Sequence, residues 1–521
     1  MIAGGDRDRG RAYRSAAGRV GCAIAEQEGL LSSVEESRRL RGRNPTVRAG
    51  KSSGPAAAHD DADGSRRVCS SLFFFPRGGS AHVARALCHE LPAAGWQTTL
   101  VAGSLGASGQ PTNAATFFSG IDVRSVEYAP AATRNDPFVA SVPFPPSYED
   151  RPGAPDRVFA AVNDDVYEHL VAAWSEALAD AGAAGADVLH LHHLTPANEA
   201  ALRSFPNIPI VGQLHGTELA MLRAIEAGPP PGWDHAAAWA ARLRRWARGC
   251  TRLIVPPGSE SEVESLLRVS PARLVAILNG VELELFRPRP LLASERLSFW
   301  HRWLAAEPQG WDETGRPGTV GYQRSELWPF EQAETIFLFV GRFTAVKRIS
   351  LLLAAHKRAQ ERFRAPAPLV LVGGHPGEWE GQHPLTVIRE LGNDQAFLAG
   401  WHDHEQLPQA MNAADLLVLP SVAEAFGLVL VEAMACGLPV IAVDAHGPAE
   451  IVEPETGWLV PPDDETALTD ALVVCANDRV ERQRRGTHAL LHAQRHFSWQ
   501  RIARRVAQVY AQALADNAWR V

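Results

Sequence analysis

The stretch EAFGLVLVEAMACG, residues 424–437, lies between two short apolar runs, DLLVLPS (415–421) and PVIAVD (439–444), and its reading decides the fold. The flanking runs have the length of buried strands, and the segment between them has the length of a short helix with a glycine at its head. Strand, helix, strand is the repeating unit of a parallel α/β sheet. Two carboxylates, Glu424 and Glu432, stand in this apolar unit. If the helix begins near Gly427, Glu432 has Leu428, Val429, Ala435 and Cys436 at i±3 and i±4, so no polar stripe receives it. A buried carboxylate without a partner is costly or gives up its charge, so a polar group of protein or ligand is expected to meet it.

The same alternation extends in both directions. Upstream, TIFLFVGRF (335–343), APLVLVGG (367–374) and QAFLAGW (395–401) read as strands of one series. An earlier series runs through RVCSSLFFF (67–75), QTTLVAG (97–103), DVLHLHH (187–193), IPIVGQLHG (208–216) and RLIVPPG (252–258), again with helical patterns between. Two α/β domains with mostly parallel sheets are expected, at 68–285 and 334–496, joined by a connection at 286–333 that carries Trp300, Trp303, Trp311 and Trp328. A connection of that length either serves a function, such as shaping an acceptor pocket, or packs as a helical hairpin on the hinge. Residues 1–67 are rich in Arg, Ser, Gly and Ala without helical or strand period and read as a disordered leader; 497–521 read as a closing C-terminal helix.

At 521 residues and 46% hydrophobic composition the chain is too long for one core. A net charge of -8 gives no electrostatic footprint for nucleic acid. Six scattered cysteines without a CxxC pair point to a reducing compartment and away from a structural zinc site. No run is long and apolar enough for a membrane span and no secretory signal opens the chain, so a cytoplasmic location is expected. WAARLRRWARGC (239–250) is amphipathic; peripheral membrane contact is one reading of it, a solvated basic face the favoured one.

In FLFVGRFTAVKR (337–348), Arg342 directly follows a strand, which places it at the carboxyl-end crevice of a parallel sheet. Lys347 and Arg348 are expected in the first turn of the next helix, where the macrodipole disfavours cations unless an anion such as phosphate sits between them. Lys347 is one of only three lysines in the chain. Phe426, Gly427 and Leu428 would present backbone N–H groups at a helix N-terminus, a second anion site on the same crevice. The plain alternatives are surface cations at a helix start and, for Glu424, a carboxylate favoured by the dipole. His215 in QLHGTEL follows a strand of the first domain, with Thr217 able to cap the next helix; a hydrogen-bonded structural histidine is the simpler reading. Alternation sends His190 and His192 to one sheet face and His193 to the other, and no set of zinc ligands is identifiable. The turn RGGS (77–80) fits neither common phosphate-loop pattern.

Taken together, PSVAEAFGLVLVEAMACGLPVIA with its Glu-x7-Glu pair, VGRFTAVKR, HGTEL, NGVELELF and GPAEIVEPETGWLVPP resemble, in order, the retaining nucleotide-sugar glycosyltransferases of family 4. The resemblance implies the GT-B fold, two Rossmann-like domains facing each other across a deep cleft. It implies that Gly341, Arg342 and Lys347 bind the donor diphosphate and that Glu432 holds the ribose hydroxyls. Glu424, with Phe426, Gly427 and Leu428 beside it, would contact the transferred sugar and phosphates. Gly78 and Gly79 would lie against the phosphates, His215 would face the reacting sugar, and backbone near Trp401 and His402 would meet the base. The partners implied are a nucleotide-diphosphate sugar as co-substrate and a small or lipid-linked hydroxyl acceptor, with no metal and no further cofactor. His215, Glu424, Arg342 and Lys347 are the expected catalytic group. Two departures stand out: Glu282 where an aspartate is usual, and His446 where glycine is common. A glycoside hydrolase using two carboxylates, a nucleotide-sugar epimerase on the same scaffold and a non-catalytic nucleotide-sugar-binding protein are the competing readings.

Overall fold

The computed structural model describes residues 65–76, 78–139, 142–149 and 156–518. The expected leader thus lies outside the described residues except for its last few, and Arg66 and Arg67 already belong to the first strand. From Asp63 onward the chain forms one compact unit.

Thirteen strands among the described residues make two sheets, and every named pairing is parallel. The first contains β1 (Arg66–Leu72), β2 (Trp96–Ser104), β3 (Asp122–Glu127), β4 (Val188–His192), β5 (Ile210–Gln213), β6 (Arg252–Val255) and β7 (Leu274–Ala276), in the order β3-β2-β1-β4-β5-β6-β7. The second contains β8 (Phe337–Gly341), β9 (Leu369–Gly373), β10 (Ala396–Gly400), β11 (Leu416–Leu419), β12 (Val440–Val443) and β13 (Gly457–Val460), in the order β10-β9-β8-β11-β12-β13. The central strands β4, β9 and β11 are buried along their whole length, which is why they read as unbroken apolar runs. Order reverses between β1 and β4 in one sheet and between β8 and β11 in the other. Those two switch points open a crevice at the carboxyl ends of the strands.

The C-terminal helix Trp499–Ala518 belongs structurally to the first sheet. Trp499, Ile502, Val506, Val509 and Tyr510 pack with Val68, Val83, Trp96, Val188, Val211 and Ile254. The Tyr510 hydroxyl meets Nδ1 of His190 at 2.7 Å.

The tryptophan-bearing connection packs on the second half, and its residues Arg289, Leu291, Ser294, Phe299 and Arg302 line a cavity with Gln409 and Asn412. Trp300, Trp303 and Trp311 are buried in the core of the second half, and the indole N–H groups of Trp300 and Trp311 donate to the carbonyls of Ala413 and Gly374, each at 3.0 Å. Trp328 alone of the four stays partly exposed. On the amphipathic helix Ala236–Gly249, Arg245 and Arg248 of the basic face are exposed to solvent, Arg245 while pairing with Glu199. Arg242 lies closer in, paired with Asp164 and covering the Tyr167 ring at 3.9 Å. Among the described residues no helix is long and apolar enough to cross a membrane.

Candidate active site

At the switch point of the second sheet, the loops after β8 and β11 are tied together: Val422 N–H donates to the Val346 carbonyl at 3.0 Å. Arg342 is the first residue beyond β8. Residues Ala345–Lys347 form a 3-10 turn rather than the expected helix start, and Arg348 takes a left-handed backbone (φ 53°) as it caps the helix Ile349–Ala359. That turn sends the two cations apart. Arg348 leaves the crevice and pairs with Asp463, while Lys347 Nζ bonds Glu424 Oε2, both side chains being largely buried. Arg342 extends its guanidinium fork across to the first half, where Nη1 and Nη2 donate to the two carboxylate oxygens of Glu149 at 2.8 and 3.2 Å.

The helix Leu428–Ala435 starts on Gly427 (φ 93°), with no side chain capping its first amides. Glu432, 7% exposed, has the polar partner its sequence position demands: His404 Nε2 lies 2.8 Å from its Oε1. Burial pulls the His404 imidazole toward the neutral form, but Glu432, Glu282 and Glu405 outweigh it and the pKa rises above 6.5. The opposite holds for His82 on the helix Gly79–Glu90. Its ring lies 4.1 Å from that of His404, and burial, then His404 and Arg85, push its pKa well below 6.5. Arg85 on the same helix reaches Glu282 at 3.0 Å and Glu405 at 3.6 Å. The unusual Glu282 is therefore one end of an ion pair.

The first half approaches this surface through glycines. Gly78 (φ 80°) turns the chain into the helix that begins at Gly79, where a Cβ would lie 3.0 Å from the Leu428 side chain. At Gly216 (φ 98°) a Cβ would come within 2.6 Å of Ala425. Gly216, not Thr217, caps the helix Thr217–Ala227. His215, half-buried beside it, meets Nδ1 of His192 through Nε2 at 3.1 Å. His193 leaves the strand with φ 67° and joins His215 rather than the far face, with Glu218 at 2.6 Å from its Nδ1. On the loop after β10, Trp401 is 46% exposed, and His402 stacks on Trp303 with ring centroids 3.4 Å apart. His446 has φ 51°, the left-handed backbone that a glycine adopts at no cost, which accounts for glycine being common there.

Arg342, Lys347, Glu424, Phe426, Gly427, Leu428 and Glu432 thus come from adjoining loops and one helix start, with Gly79 and Gly216 of the first half against them. Gly341 ends β8 at their base. Sequence reading missed His404, His82, Arg85 and Glu149. Only the isolation of Glu432 signalled that some such partner existed.

A family model described as "Glycosyltransferase Family 4" matches residues 77–285, and one described as "Glycosyl transferases group 1" matches 325–490. A D-inositol 3-phosphate glycosyltransferase from Nocardia farcinica is 36% identical over 213 residues, 40% of this chain and 47% of the relative. One from Kribbella flavida is 27% identical over 352 residues, 63% of this chain and 71% of the relative. The chain therefore spans between about half and about 70% of the length of these curated relatives. Among solved structures, sucrose-phosphate synthase from Thermosynechococcus elongatus superposes with a TM-score of 0.61 at 22% identity, covering 86% of this chain and 99% of that one. HepE from Anabaena, solved in complex with UDP-glucose, gives 0.59 at 18% identity, covering 86% and 99%. These likenesses show the GT-B fold.

Proposed function

The chain belongs to the family 4 glycosyltransferases, and from that premise we propose that it moves a glycosyl group from a nucleotide-diphosphate sugar to a hydroxyl acceptor with retention of anomeric configuration. The observation that carries this reading is the Lys347–Glu424 ion pair at the β8/β11 switch point, with Arg342 and an uncapped helix start beside it. A pyrophosphate there meets a point charge, a planar fork and free amides. Lys347 is paired with Glu424 and Arg342 with Glu149. On binding, Lys347 and Arg342 turn to the diphosphate and offset the charge that develops as it departs. Glu424 is then released toward the sugar, and Glu432 toward the ribose. Departing phosphate oxygen takes the acceptor proton on the same face, so catalysis is chiefly positioning and electrostatics.

The hydrolase reading fits less well. It needs two carboxyl groups flanking one glycosidic bond, whereas here Glu424 is engaged by Lys347 and Glu432 by His404, and the cations have no part in that chemistry. In this reading the protein uses no metal and no cofactor beyond the donor, and the five cysteines among the described residues, all free and buried, favour the cytoplasm. The relatives' named substrate, D-inositol 3-phosphate, makes a phosphorylated polyol the first acceptor to try.

Calorimetry against UDP-, GDP-, ADP- and TDP-sugars, followed by turnover with inositol phosphates in the presence of a chelator, tests the proposal. Donor-dependent product with unchanged anomeric configuration is expected. Sugar release from a simple glycoside without nucleotide, donor conversion without acceptor, or saturable binding without turnover across a broad acceptor panel would each replace it. Loss of turnover with chelator would overturn metal independence.

A further inference from the structure

His192, at the end of β4, is buried, as is the whole of that strand. Its Nδ1 meets Nε2 of His215 at 3.1 Å, while its own Nε2 is buried and has no partner among the described residues. Both rings are held neutral: burial, then His190, His215 and His193, push His192 well below 6.5, and burial, then His193 and His190, do the same to His215. A neutral imidazole carries one N–H, so the pair shares two possible arrangements. If His215 donates, the single proton of His192 sits on Nε2, a buried N–H with nothing to bond. If His192 donates from Nδ1, only a lone pair is left unmatched. Orphaned buried N–H groups are the rarer and costlier of the two.

We infer that His192 is a positioning residue that donates from Nδ1 to His215 Nε2, fixing the proton of His215 on Nδ1 so that the cleft receives a hydrogen-bond donor and not a base. Resting on the proposed function, this gives His215 a defined partner class: an oxygen acceptor such as a sugar hydroxyl lone pair or a phosphate oxygen. Removal of the acceptor proton by His215 is excluded, since its only basic nitrogen is already occupied by His192. Glu218 supports the arrangement from below, accepting the His215 backbone N–H at 3.4 Å and contacting His193.

The tautomer is read without substrate, by nitrogen NMR of the full chain labelled with 15N in its histidine rings, with His215→Asn to assign the signal. The expected result is a proton on Nδ1 of His215. Asparagine places an amide N–H where His192 has Nδ1, whereas glutamine moves it to the position of Nε2. His192→Gln and His192→Leu should lower kcat about tenfold with little change in donor KM, and His192→Asn should recover most of the loss, as expected when one aimed donor is removed and restored. A proton on Nε2 of His215, or equal losses in the three folded variants, overturns the assignment. Failure of the wild type to bind any donor strikes the proposed function instead, and the NMR result still decides the tautomer.

Discussion

Glu432 shows what one position can disclose and what it cannot. Its apolar neighbours at helical spacing demanded a polar partner, but that partner, His404, is 28 positions away, and nothing in either segment names the other. The same holds for Arg342 and Glu149, separated by 193 positions. Because the pKa of His404 is raised in the fold, its pairing stabilises the protein fully below the unfolded value near 6.5 and is lost as pH rises through the folded value. Denaturant titrations of wild type and His404→Gln should therefore differ by on the order of 1 kcal/mol at pH 6, and the difference should shrink as the pH is raised above the ordinary histidine value. Lys347→Ala and Glu424→Ala should each give a folded protein whose transfer rate is reduced by on the order of a hundredfold or more, the scale of a lost charge-stabilising contact. Single-turnover kinetics with saturating donor would measure it, and near-wild-type rates in either variant would remove that residue from the site.

At the scale of elements, the buried strands were legible and some of the edges were not. β3 (DVRSVE) buries one residue of six and presents no apolar run, and β7 is only three residues long. The 3-10 turn before Ile349 was also hidden. TAVKR contains no glycine, and the left-handed conformation of Arg348 is held by its bond to Asp463, 115 positions on. Gly216 makes the reverse case, since its role depends on a second loop. Gly216→Ala combines a positive φ with a 2.6 Å collision against Ala425, and should cost at least about 1 kcal/mol in a thermal melt and raise donor KM. The connection's tryptophans belong to the second core, so Trp303→Ala should destabilise by roughly 3–5 kcal/mol, as large-to-small core changes do. Acceptor preference, measured over the same panel, should stay as it is.

Across the molecule, two matched switch points were foreseeable from the alternation of strands and helices. The return of Trp499–Ala518 to the first sheet was not, because an amphipathic helix at the end of a chain names no particular partner. Its docking makes the two halves interdependent: Tyr510→Phe, which removes one buried hydrogen bond to His190, should lower stability by about 1 kcal/mol in a single unfolding transition. Two separated transitions would show that the halves melt independently.

That docked helix also sets the order of events during synthesis. Val68, Val188 and Ile254 leave the ribosome long before Ile502, Val506 and Tyr510, which cover them in the finished protein. At the usual pace of roughly 5–20 residues per second, the early sheet spends ten seconds or more with an apolar face bare. The nascent chain is for that interval a natural client for a holding chaperone, released when its own last segment arrives.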